Sequence, residues 1–115
     1  MNKKIGEIIR EIRNEKGISL RRLAEIVNVS NVNILYIEKG KINTSLPILK
    51  GIAKALNYNI DKLLALADMI DDDIRNIINK RPILITNFLR AAKNLTNDDW
   101  STLTKQITQM NKGVS

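Results

Sequence analysis

Cysteine and histidine are both absent from this chain of 115 residues, and aromatic side chains make up only 3% of it. The first absence excludes disulfides, thiolate nucleophiles and zinc fingers. The second excludes histidine general bases and Ser-His-Asp triads, so most enzyme classes fall away before any motif is sought. Long apolar runs are missing too. The longest stretch without a charge, residues 26–37, has 12 residues and carries three Asn, well short of the roughly 20 apolar residues that span a bilayer. The first 15 residues alternate in charge where a secretory signal would be apolar. The expectation is therefore a cytoplasmic protein with no membrane segment.

Branched aliphatic side chains are what the sequence does have: 19 Ile, 13 Leu and 4 Val. With Phe88 they form about a third of the chain, above the level at which disorder is the default. A core of this composition suits helix packing, and the length suits one domain with an appended segment. The formal net charge is +7, and it is unevenly placed. Residues 1–66 hold 12 basic and 6 acidic side chains, whereas residues 67–115 hold 7 and 6. The basicity belongs to the N-terminal half, and a polyanion, nucleic acid first, is the expected partner.

Every segment reads as a helix. Ile5, Ile8, Ile9 and Ile12 recur at helical spacing and stop at Gly17. Ser19, Ser30 and Ser45 each stand where an N-cap is needed, Gly40 is placed to end the third helix, and Pro47 is tolerated in the first turn of the fourth. A fifth helix is expected over residues 60–66. After Ala67 the pattern restarts. Asp71, Asp72 and Asp73 precede Ile74, Ile77 and Ile78, Pro82 opens a further helix, and Thr96 with Asp99 forms a capping box ahead of the last. The aspartate run is read as dipole complement, not as a cation site, so neither a metal nor a cofactor is expected.

Residues 20–39, LRRLAEIVNVSNVNILYIEK, are the informative stretch. Two short helices joined by a tight turn pack steeply only if chosen positions are small, apolar or able to take positive φ. Ala24 is small, and Asn28 is the best non-glycine choice for the left-handed turn residue. Leu23, Val27, Val29, Ile34 and Ile37 supply apolar pegs. On these residues, and on the runs IGEIIREIRNEKGIS, IEKGKINTSL and LKGIAKALNYNIDKLL, the first half resembles the helix-turn-helix domain of the Cro and phage-repressor family, the XRE family. The resemblance implies an all-α fold, a five-helix DNA-binding domain over residues 1–67. Its third helix would enter the DNA major groove, usually as a two-fold dimer on an inverted repeat.

Helical spacing sorts the third helix by itself. Ile34, Ile37 and Glu38 fall on one side; Val32, Leu35, Tyr36 and Lys39 fall on the other, with Asn31 and Asn33 at its flank. These six outward residues are the candidate base readers. Asn pairs with adenine and Val or Leu meets a thymine methyl, so an A/T-leaning operator is expected. Arg21, Arg22, Ser30, Lys41 and Asn43 are the candidate phosphate contacts. The resemblance further implies that Arg13 and Glu38 form a structural pair. It also places Leu20 where many members carry Gln.

Residues 68–115 are too few to bury three amphipathic helices well on their own. A helical dimerisation or multimerisation segment is expected there, carried by Ile85, Phe88, Leu89, Trp100, Leu103 and Ile107. The arrangement resembles that of the Sin-type regulators. The resulting expectation is a homodimeric transcriptional regulator, a repressor, without enzymatic activity. The alternative, suggested by apolar Leu20, Leu35 and Tyr36, is an antagonist that hetero-oligomerises with a related regulator.

Overall fold

The Ile5 and Ile9 side chains of the first stripe are fully withdrawn from solvent in the structure, a computed structural model that describes residues 3–113. Those residues contain helices and no strand: α1 (Lys3–Glu15), α2 (Leu20–Val27), α3 (Asn31–Glu38), α4 (Leu46–Ala55), α5 (Ile60–Leu66), α6 (Asp72–Lys80), α7 (Pro82–Ala91) and α8 (Asn97–Lys112). The chain divides into two compact units, Met1–Arg75 and Asn76–Ser115.

Local chemistry sets the helix ends of the first unit. Ser19, Ser30 and Ser45 accept hydrogen bonds from the backbone N–H of Arg22, Asn33 and Ile48, each meeting one of the donors a helix start leaves unpaired. Asn59 caps α5 in the same way through the N–H of Lys62. Gly17 and Gly40 close α1 and α3 at φ +67° and +70°. Asn28 takes φ 59° in the turn between α2 and α3, which reverses the chain tightly without a glycine.

The core of this unit joins Leu23 and Ala24 of α2, Ile34 and Ile37 of α3, Leu49, Ile52 and Ala53 of α4, and Leu63 and Leu64 of α5 to Ile5 and Ile9. Each such Leu or Ile contributes about 1.5–3 kcal/mol on burial. Val27 and Val29 pack against the edge. Beyond α5, Lys50 of α4 meets Asp71 at 3.1 Å, and Asp71 also accepts from the N–H of Asp72 at the start of α6.

The second unit holds α7 and α8. Thr96 and Asp99 complete a reciprocal capping box at the start of α8. Phe88 and Trp100 meet edge to face, centroids 6.4 Å apart. Ala92 is the one buried hydrophobic among its described residues.

Candidate nucleic-acid interface

Three supports fix α3 from behind. Ile34 and Ile37 anchor it in the core. At its C-terminal end, Arg13 Nε and Nη2 donate to the two carboxylate oxygens of Glu38 at 2.7 and 2.9 Å, and Nη1 donates to the Ile18 carbonyl at 3.0 Å. The side chains of the pair are 10% and 3% exposed. The hydrogen bond to Glu38, with its charge attraction, holds the Arg13 guanidinium above its ordinary pKa against the opposing effect of burial. The pair ties α1 to both the turn before α2 and the end of α3.

The third support is Gly6, which the sequence reading did not single out. A Cβ there would stand 2.4 Å from the Ile37 carbonyl oxygen and 2.5 Å from that of Glu38. Only glycine lets the α1 backbone lie this close to the end of α3. A signal was present: Gly6 lies three residues before Ile9 and seven before Arg13, on the stripe that faces inward.

With that side buried, the opposite side of α3 is left to solvent. Val32 is 54% and Tyr36 40% exposed. Asn31 and Lys39 are also exposed, while Asn33 and Leu35 are half-buried. Lys41 follows at the helix end, doubly tethered to Tyr36. Its backbone N–H donates to the Tyr36 carbonyl at 2.9 Å, and its ammonium lies 5.6 Å from the centre of the Tyr36 ring, within cation–π range. Asn43 and Ser30 are exposed beside this face in sequence.

Arg21 and Arg22 stand on the first turn of α2, both exposed and both 3.5 Å from the same acid, Glu25. Exposed pairs of this length are worth little and leave the guanidiniums available to a competing anion. Among the described residues, no group of acidic side chains is arranged to hold a metal ion. No helix there is long and apolar enough to cross a membrane.

The six apolar residues expected to mediate association all lie on α7 and α8. Phe88, Leu89, Trp100 and Ile107 are exposed, and Ile85 and Leu103 are half-buried.

A helix-turn-helix family model matches residues 9–63. An HTH-type transcriptional regulator of Archaeoglobus fulgidus is 38% identical over 60 residues, 52% of this chain and 86% of that protein. The chain belongs to the XRE-type helix-turn-helix family. This helix-turn-helix protein is also similar to the competence pilus inhibition repressor of Acinetobacter baylyi, 32% identical over 69 residues, 60% of the chain. That match takes in 63% of the repressor, less than two thirds of its length. Among solved structures, the SinR protein/SinI protein complex is matched with a TM-score of 0.52 at 20% identity, over 94% of the helix-turn-helix chain and 98% of the other. At that identity the likeness concerns the fold.

Proposed function

We propose that the protein is a sequence-specific double-stranded DNA-binding transcriptional regulator, a repressor, whose α3 reads the major groove. The observation that carries this reading is the charge around α3. Between Glu25 and Asp61 the sequence contains a single acid, Glu38, and four lysines. That acid is consumed internally by Arg13. The solvent side of α3 therefore presents Asn31, Val32, Asn33, Leu35, Tyr36 and Lys39 with no free negative charge to repel a phosphate backbone.

In this reading those side chains contact base edges, and the Asn, Val and Leu among them favour an A/T-leaning inverted repeat. Arg21, Arg22, Ser30, Lys41 and Asn43 hold the flanking phosphates and set affinity more than sequence preference. Residues 1–67 form the DNA-binding domain, and residues 68–115 join two copies. The apolar surface of α7 and α8 supports a homodimer, because two linked half-site binders gain affinity that neither has alone. No enzymatic activity is assigned.

The test is duplex binding followed against salt. With about six phosphates neutralised per dimer, log K falls against log salt with a slope near −5. Arg21→Glu with Lys41→Glu abolishes binding at physiological salt. A flat salt response, or full binding by the doubly reversed protein, contradicts the assignment. Light scattering of the protein alone and mixed with a related regulator separates the homodimer from the hetero-oligomer.

A further inference from the structure

We propose that the groove between α1, the start of α2 and the end of α3 extends the DNA-binding surface, Leu20 and Leu35 forming a wall for one thymine methyl and Arg10 holding the adjoining phosphate. The proposal rests on the DNA-binding reading above and names residues that reading did not use, Leu20 and Arg10. The groove encloses about 470 Å³ and is lined by Glu7, Arg10, Arg13, Leu20, Leu35, Glu38 and Lys39.

Its continuity with the reading face is direct, since Leu35 and Lys39 belong to both. Leu35 is half-buried, yet it is not among the side chains packed against the core; it borders the groove together with Leu20. Two apolar side chains are thus held at the flank of an otherwise polar groove, the chemistry that accepts a methyl and rejects a bare ring edge.

Charge points to the same occupant. Arg10 and Lys39 are exposed on the groove, and neither has an ion pair among the described residues. Glu38 is already neutralised by Arg13, which leaves Glu7 against two unpaired cations. A phosphate beside a methylated base satisfies both halves of the groove. Arg10 reaches it from α1, an element that carried no expected DNA contact.

The experiment starts from a duplex selected by the wild-type protein from a random library. Each thymine is then replaced by deoxyuridine, which removes the methyl and nothing else. Wild type is expected to lose about fourfold in affinity at one thymine per half-site, the worth of one buried methyl. Leu20→Ala and Leu35→Ala, each checked for an unchanged melting profile, bind the thymine duplex as weakly as the uracil one at that position. Arg10→Gln is expected to lose affinity equally on selected and random DNA and to reduce the salt slope by about one per bound subunit.

A scan with no uracil-sensitive position overturns the proposal while leaving DNA binding intact. So does sensitivity that persists in both alanine variants, or an unchanged salt slope for Arg10→Gln. If either alanine variant melts earlier, Leu20→Met and Leu35→Met take its place, with altered thymine-over-uracil preference as the readout. Absence of any salt-sensitive duplex binding by wild type overturns the DNA reading itself, and the groove with it.

Discussion

Arg13 donates two hydrogen bonds to the Glu38 carboxylate in a site nearly closed to water, so neither residue can be removed alone without stranding the other. Arg13→Met is expected to destabilise the protein by about 3–5 kcal/mol, because Glu38 is left as an uncompensated buried charge. Arg13→Met with Glu38→Leu recovers most of that loss, since an apolar pair of similar volume avoids the desolvation penalty. Urea unfolding of the single and double variants checks both statements; equal stability of all three would refute them. At Gly6 the constraint is steric. Gly6→Ala drives a methyl into two carbonyl oxygens of α3, and a cost of about 1–3 kcal/mol is expected from the overpacking. DNA affinity falls further than stability explains, because the end of α3 is displaced. Tyr36 and Lys41 are coupled more gently. Tyr36→Phe keeps the ring beneath the Lys41 ammonium and retains affinity, whereas Tyr36→Leu weakens binding about two- to threefold, the scale of an exposed cation–π contact. In a Lys41→Ala background that difference between Phe and Leu disappears.

Helices were the legible level of this molecule. The side-chain caps Ser19, Ser30 and Ser45 each bond an N–H three positions on, so they could be placed from the sequence, and Asn28 could be recognised as the left-handed turn residue. What escaped was contact across elements. Gly6 gains its meaning only from the path of α3, and Arg10 only from the groove it shares with Leu20 and Leu35. Lys50 with Asp71 is a third case: sequence position alone makes the aspartates a dipole complement, and the structure adds an ion pair to α4. The hydrogen bond from Lys50, then that from the Asp72 N–H, holds the Asp71 carboxyl below the usual carboxylate range. The folded pKa is the lower one, so the associated stability is present above about pH 4 and is lost as pH falls through the folded value. Lys50→Met flattens that acid limb. The change is small, because the pair is exposed, and a melting series over the acid range measures it. α7 obeys a different logic. Ile83 is 73% and Leu84 68% exposed on a helix that also carries Phe88 and Leu89, more apolar surface than one face can conceal. Phe88→Asp with Leu89→Asp is expected to convert the proposed dimer to a monomer in light scattering, with the melting of the first unit retained.

At the scale of the whole molecule, the charge and the apolar surface are sorted into different halves. Residues 1–66 carry 12 basic against 6 acidic side chains and contribute most of a closed core; residues 67–115 carry 7 against 6 and include the most exposed aliphatic side chains, Ile83 and Leu84 of α7. The composition made this division visible, since it depends on counts along the chain and not on geometry. The proposed pairing of a DNA-reading unit with an associating unit accounts for both halves. The central claim, that the solvent side of α3 reads base edges, is tested most directly by binding selection on a random duplex library at physiological salt. The account predicts an enriched A/T-leaning inverted repeat with half-sites about 10 bp apart, and a changed motif when Asn31 and Val32 are replaced by alanine. Recovery of no motif, or of a G/C-only motif indifferent to those substitutions, would contradict it.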